Sequence, residues 1–272
     1  MKPPAFDYLR AETLDEALET LHQAGEEARV LAGGQSLLPM LNMRLARPAL
    51  LVDIMRIAAL REIRAEGAGL RIGAGVRQAA LEGYPGLPPL LAAALPWVGH
   101  AQTRSRGTIC GSVAHADPSA EIPLVLVALR GMVHLRARRG ARRVPAEAFF
   151  TGLMATARAE DEMIEAVSIP PAPPGAGFAF REVGRRHGDF AIVACAALVD
   201  GRGARLAVGG VADRPLARDL PLPGDPALED ALGDFAWSLE ARDDLHATAA
   251  YRRGLVRRMG RAVLEEAVAC RG

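Results

Sequence analysis

The chain reads as an α+β protein in two parts, and three features of its sequence lead there. Helix-like and strand-like apolar patterns are interspersed through the first part of the chain rather than segregated. The run Pro170-Pro171-Ala172-Pro173-Pro174-Gly175 then breaks every regular pattern, because proline fixes φ and carries no amide hydrogen. Beyond it, three strand-like segments precede helical ones, the order expected of a smaller α+β domain with a three-stranded antiparallel sheet and helices. The boundary is placed in the proline run, with residues 1–172 in the first domain and 173–272 in the second.

Thr13-Leu14-Asp15-Glu16 has the form of a capping box, in which Thr13 and Glu16 satisfy each other's unpaired amides. Leu14, Ala17, Leu18 and Leu21 mark one face of the helix it opens, and Gly25 ends that helix. Residues 28–32 form a short apolar strand that runs straight into Gly33 and Gly34. A brief helix over 36–45 and a buried strand around 50–54 complete a first subdomain of about residues 1–55. The second subdomain, 56–172, has a strand at 70–73, an apolar helix at 88–95 and a helix at 119–130. Short strands follow at 132–136, 142–144 and 163–169. In the second domain, strands are expected at 178–183, 191–199 and 205–211, then helices over 226–232 and 245–269.

With 272 residues, half of them apolar, the chain can fill two cores. A formal net charge of +1 offers no basic field to nucleic acid and no acidic patch to a basic partner. Lys2 is the only lysine, and the arginine excess accompanies abundant Ala, Gly and Pro, so it reads as compositional bias. Cys110, Cys195 and Cys270 stand apart without a Cys-x-x-Cys, so no local iron–sulfur or zinc site is expected. Isolated thiols suit a reducing compartment. No signal-peptide core and no apolar run of membrane-spanning length is found, the richest run being 122–129. A cytoplasmic protein without a transmembrane segment is expected.

Two glycine segments carry the chemistry: Ala32-Gly33-Gly34-Gln35-Ser36 and Thr108-Ile109-Cys110-Gly111-Ser112. Glycine lets backbone approach a ligand closely, and successive amides with small hydroxyls make a cradle for phosphate. Neither is the Gly-x-Gly-x-x-Gly fingerprint, and no Gly-Lys-Ser/Thr of a P-loop occurs. Taken alone, the first segment reads first as a tight strand-to-helix turn and second as a diphosphate cradle with Ser36 as the helix cap. Asp117 ahead of Pro118 reads equally as a turn former, and Arg104 and Arg106 as solvated loop charges. Taken together, the segments suggest one large diphosphate gripped from two sides, with Glu121 placed to accept from sugar hydroxyls. His100 and His115 lack metal-ligand spacing, and no Gly-x-Ser-x-Gly of a hydrolase occurs.

The run Leu31-Ala32-Gly33-Gly34-Gln35-Ser36-Leu37-Leu38-Pro39, together with Arg106-Gly107-Thr108-Ile109-Cys110-Gly111-Ser112-Val113-Ala114-His115-Ala116-Asp117-Pro118, resembles the FAD-binding medium subunit of molybdenum hydroxylases. Phe149-Phe150-Thr151-Gly152-Leu153 and Asp161-Glu162-Met163-Ile164 are similar to the end of that family's flavin domain. Phe180-Arg181-Glu182-Val183-Gly184-Arg185-Arg186-His187-Gly188-Asp189-Phe190-Ala191 is similar to the signature that opens its C-terminal domain. The resemblance covers the whole chain. It implies a two-part FAD-binding domain of the vanillyl-alcohol-oxidase-like type (PCMH type), followed by a C-terminal domain of the carbon monoxide dehydrogenase flavoprotein type.

The same resemblance implies that Ala32, Gly33, Gly34, Gln35 and Ser36 hold the FAD pyrophosphate, with Leu31 and Leu37 packed nearby. Thr108, Ile109, Cys110, Gly111 and Ser112 then supply the second set of contacts, with Asp117 close behind. Glu121 matches a carboxylate that bonds the ribose, Ile164 lies against the cofactor, and Arg181 falls where xanthine dehydrogenases carry a lysine near the flavin. Cys110 departs from a frequent glycine, which leaves either an ordinary backbone there or a reshaped site. Arg181 keeps the charge of lysine but changes its geometry. The implied partners are a large molybdopterin subunit and a small [2Fe-2S] subunit, as a dimer of heterotrimers, with quinone, NAD or oxygen as external acceptor. A stand-alone FAD-dependent oxidase and a non-enzymatic subunit without flavin are the rival readings.

Overall fold

The computed structural model describes residues 2–271. Strands β1 (Asp7–Arg10), β2 (Ala28–Leu31) and β3 (Leu50–Asp53) form a parallel sheet in the order β1-β3-β2. Helix α1 (Leu14–Ala24) buries Ala17, Leu18 and Leu21 against it. The capping box is only half formed. Thr13 Oγ1 accepts from the Glu16 amide at 3.2 Å, but the Glu16 carboxylate reaches past Thr13 to the Glu12 amide at 2.8 Å. Helix α2 (Leu37–Asn42) is shorter than the sequence suggests and links β2 to β3.

The chain continues through β4 (Ile63–Glu66), β5 (Gly69–Gly73) and the short helices α3 (Gln78–Leu81), α4 (Pro89–Ala94), α5 (Ala101–Arg106) and α6 (Ile109–His115). Helix α7 (Glu121–Ala128) follows, then β6 (Met132–Ala137), β7 (Gly140–Pro145), α8 (Ala146–Phe149), β8 (Phe150–Gly152), β9 (Ala155–Thr156) and β10 (Met163–Ile169). Five of these strands make an antiparallel sheet in the order β4-β5-β10-β6-β7. Every residue of α7 is buried, as expected of a helix that is apolar all round. It sits between this sheet's domain and the C-terminal one, packing on both.

The last sheet is β11 (Gly177–Val183), β12 (Val193–Val199), β13 (Ala204–Gly209) and β14 (Leu216–Leu220), antiparallel and in that order. It has four strands rather than the three expected from the sequence. The fourth, Leu-Ala-Arg-Asp-Leu, is a half-buried edge strand with no apolar alternation to announce it. Helices α9 (Leu228–Ser238) and α10 (Ala249–Ala269) cover one face of the sheet. The other face joins the first domain's core through Phe180, Ala194, Ala196 and Ala207. Among the described residues no helix is long and apolar enough to cross a membrane.

Candidate cofactor site

Strand β2 ends at Leu31, whose carbonyl accepts from the Ile54 amide at 3.1 Å. The chain then turns through Gly33 and Gly34, the latter at φ +73°, a left-handed conformation that favours glycine. Gly33 has a different reason to be glycine. A Cβ there would lie 2.7 Å from the Gly107 Cα and 2.8 Å from the Arg106 carbonyl carbon, both fixed backbone. The two glycine segments, some seventy residues apart in sequence, therefore meet backbone to backbone. Among the described residues the amides of Gly33, Gly34, Gln35 and Ser36 donate to no protein acceptor. Ser36 flanks α2 without a side-chain capping bond, contrary to the expected cap, so its hydroxyl is unspent.

The second wall is built differently from the first. Thr108 caps α6, its Oγ1 accepting from the Gly111 amide at 3.0 Å, so that amide and that hydroxyl are already engaged with each other. Cys110 lies inside the helix with ordinary backbone, and its Sγ points at the Ile72 carbonyl at 3.8 Å. Burial pushes its thiol up to about 12. Of the two outcomes expected at Cys110, the ordinary backbone is the one observed. Gln78 ties this wall to α3: its amide donates to the Gly107 carbonyl at 2.8 Å, while its buried Oε1 has no partner.

A cavity of about 650 Å³ lies between the walls, a size suited to enclosing a small ligand. Ala32, Gly33, Gly34, Gln35, Ser36, Leu37, Thr108, Cys110, Gly111, Ser112, Asp117, Glu121 and Ile164 line it. Three of the expected residues do not. Leu31 sits behind Gly34, Ile109 is buried in the core, and Arg181 pairs with Glu266 of α10 at 2.9 Å. Asp117 does both of the things open to it. It lines the cavity, and its Oδ1 accepts from the Ser119 amide at 2.8 Å in a turn. Glu121 opens α7 with 7% exposure. Burial raises its carboxyl to about 7, opposed by its own backbone amide and reinforced by the Asp117 charge.

The cavity also recruits residues that sequence reasoning passed over. Arg158 donates to the carbonyls of Ala159, Glu160 and Glu162 and, with Arg29, faces one end of it. Gly188, Asp189 and Phe190 reach it from the second domain. The Gly-Asp-Phe run within the domain-opening motif was the available signal for those three. Arg158 had none, because nothing local distinguishes it from the chain's many other arginines.

The residues present fit a dinucleotide with a diphosphate at its centre. Four successive unpaired amides and an unspent hydroxyl start at the place where the two backbones touch, and successive free amides are what main chain uses to cradle an anion. A buried carboxyl can meet sugar hydroxyls, and Leu37, Met40 and Ile164 offer apolar surface to a ring.

Residues 4–172 match the model of the FAD binding domain in molybdopterin dehydrogenase, and 178–267 that of the CO dehydrogenase flavoprotein C-terminal domain. The chain is 43% identical over 202 residues to the 6-hydroxypseudooxynicotine dehydrogenase complex subunit alpha of Paenarthrobacter nicotinovorans, covering 73% of this chain and 68% of that one. It is 37% identical to the nicotine 6-hydroxylase medium subunit of the same organism, over 98% of this chain and 99% of that one. A solved carbon monoxide dehydrogenase from Hydrogenophaga pseudoflava superposes with a TM-score of 0.93 at 33% identity, covering 100% of both chains.

Proposed function

The chain belongs to the FAD-binding medium subunits of molybdenum hydroxylases, and we propose that its two glycine walls hold the FAD of such a complex. The protein is an oxidoreductase subunit whose cofactor is FAD. Its relatives are subunits of multi-subunit complexes. In this reading residues 1–172 hold the cofactor and residues 173–272 close over one side of it.

The observation that carries the reading is the set of unpaired amides at Gly33, Gly34, Gln35 and Ser36, set against the Arg106–Gly107 backbone. These amides and the Ser36 hydroxyl bind the diphosphate, and the N-terminus of α6 approaches it through Ser112. Glu121 accepts from hydroxyls of the sugar, while Leu37 and Ile164 exclude water from the ring. Bound there, FAD supplies one- and two-electron redox chemistry between a [2Fe-2S] donor and an external acceptor such as a quinone, NAD or oxygen. Substrate is oxidised on a large molybdopterin subunit, a small [2Fe-2S] subunit relays the electrons, and the three chains pair as a dimer of heterotrimers. No side chain of this chain acts as acid or base on the substrate. Its work is binding and orientation in the cytoplasm.

The purified chain, incubated with FAD and desalted, is expected to retain absorbance bands at roughly 370 and 450 nm. A colourless chain at every FAD concentration refutes the reading. Bleaching of that flavin by an organic substrate, with no partner chain present, supports a stand-alone oxidase instead.

A further inference from the structure

Gln78 opens α3 and is 4% exposed, a degree of burial that glutamine seldom reaches unless its amide group is satisfied. A short antiparallel clip fixes its backbone to the second wall. The Gln78 backbone amide donates to the Gly107 carbonyl at 2.8 Å, and the Ile109 amide donates to the Val76 carbonyl at 3.3 Å. The two bonds flank the bridge between Arg77 and Thr108. The Gln78 side chain then lies over Gly107, where a Cβ would come 2.8 Å from its Oε1 and 3.0 Å from the Thr103 carbonyl oxygen. Gly33 reaches the same Gly107 from the first wall.

The Gln78 Oε1 is buried and accepts no hydrogen bond. The Thr103 oxygen beside it is another acceptor, already engaged by the Gly107 amide at 2.7 Å, so it cannot satisfy Oε1. A buried oxygen without a donor is a cost that native proteins rarely leave in place without a reason. Gln78 lines the cavity beside Ala74, Val98, Gly99 and Thr103. The terminal torsion of glutamine is broad, so the amide group can turn its oxygen to a donor in the cavity while the stem stays fixed.

The diphosphate anion offers no donor. The donors next to it along FAD are hydroxyls, those of the ribose on the adenosine side and those of the ribityl chain on the flavin side. Glu121 takes the ribose in the reading above. Resting on that reading, we propose that Gln78 is a cofactor-binding residue whose amide oxygen accepts a hydrogen bond from a ribityl hydroxyl of FAD. The clip that fixes the second wall thereby also holds the chain that carries the flavin ring. Binding relieves the unpaired oxygen, so the cofactor completes a wall that the protein alone leaves unsatisfied.

The experiment compares the full chain with Gln78→Met, which keeps the length of the side chain and removes its polar atoms. Flavin fluorescence follows titration with FAD, and thermal unfolding reads the stability of the FAD-free chain. Q78M is expected to bind FAD roughly three- to tenfold more weakly than wild type. Free of FAD, it is expected to unfold at the wild-type temperature or above it, because an apolar group replaces an unpaired buried oxygen. A purely structural glutamine gives the opposite, a less stable FAD-free chain. An FAD analogue with a hydroxyl-free pentyl chain in place of ribityl locates the donor, and with it the preference for wild type over Q78M is expected to vanish. A preference that persists with this analogue overturns the proposal, as does Q78M binding FAD within about twofold of wild type. Should Q78M not fold, Gln78→Leu repeats the test, and failure of both to fold overturns the proposal. In these cases the FAD assignment stands, whereas failure of the wild type to bind FAD at any concentration overturns both.

Discussion

Gly33→Ala tests the claim that the two walls form one cradle. The added methyl carbon would sit 2.7 Å from the Gly107 Cα. An ordinary contact begins at 3.4 Å, so the backbones must part by about 0.7 Å, and further to clear the closer Arg106 carbonyl oxygen. Neither neighbour is a flexible side-chain end that can swing away. Overpacking of this kind costs roughly 1–3 kcal/mol of stability. The parting also takes the Gly33–Ser36 amides out of line with the diphosphate. Loss of one hydrogen bond to a charged group, about 1.5–3 kcal/mol, weakens FAD binding by roughly ten- to 150-fold. The measurements are fluorescence titration with FAD and thermal unfolding. Gly34→Ala is the control, because its Cβ meets the movable Leu38 Cδ1 at 3.0 Å and mainly incurs the strain of φ +73°. If G33A binds FAD within about threefold of wild type and unfolds at the same temperature, the walls are not one rigid cradle, and the reasoning is refuted.

Arg205→Met should loosen the join between the domains. The buried guanidinium pairs with Glu147 and with Asp219 at 2.9 Å, and donates to the Ala128 and Val127 carbonyls at the end of α7. Both carboxylates stay solvated and Asp219 keeps Arg130, so the expected loss is about 1–3 kcal/mol rather than that of a stranded buried charge. Chemical denaturation monitored by tryptophan fluorescence checks this, and an unchanged midpoint contradicts it. Cysteine labelling tests the second wall. Burial pushes Cys110 and Cys195 up to about 12, while Cys270 is exposed. Iodoacetamide near neutral pH is expected to modify Cys270 alone in the native chain and all three thiols after unfolding. Rapid native labelling of Cys110, read by mass spectrometry, would place its thiol in the cavity rather than against Ile72.

Much of the site was legible because glycine states its own reason. Gly34 sits at a positive φ and Gly33 at a backbone contact, and each demand excludes a side chain, which leaves a mark in the sequence. Thr108 was legible as a hydroxyl beside glycines, but its role was not. It caps α6 without the acidic partner three residues on that makes a capping box recognisable. In α1 that acidic partner is present, and yet Glu16 bonds a different amide. Strand β14 was lost for a related reason. Its residues are held by pairing with the preceding strand β13 rather than by an apolar alternation of their own.

The misplacement of Arg181 shows where local reading ends. A strand between two cores has two faces, and period-two alternation assigns residues to faces without saying which core each face meets. Only the second domain's docking decides that, by putting Phe178 and Phe180 against the first domain and α10 against the other side. Once the phenylalanines are placed, Glu182 must follow them, and Arg181 must turn to Glu266. A carboxyl then shares the face turned to the first domain, where a cation was expected. Burial raises that carboxyl, and the Glu121 charge adds to the rise. Which charge of this strand meets the first domain is thus set by strand register.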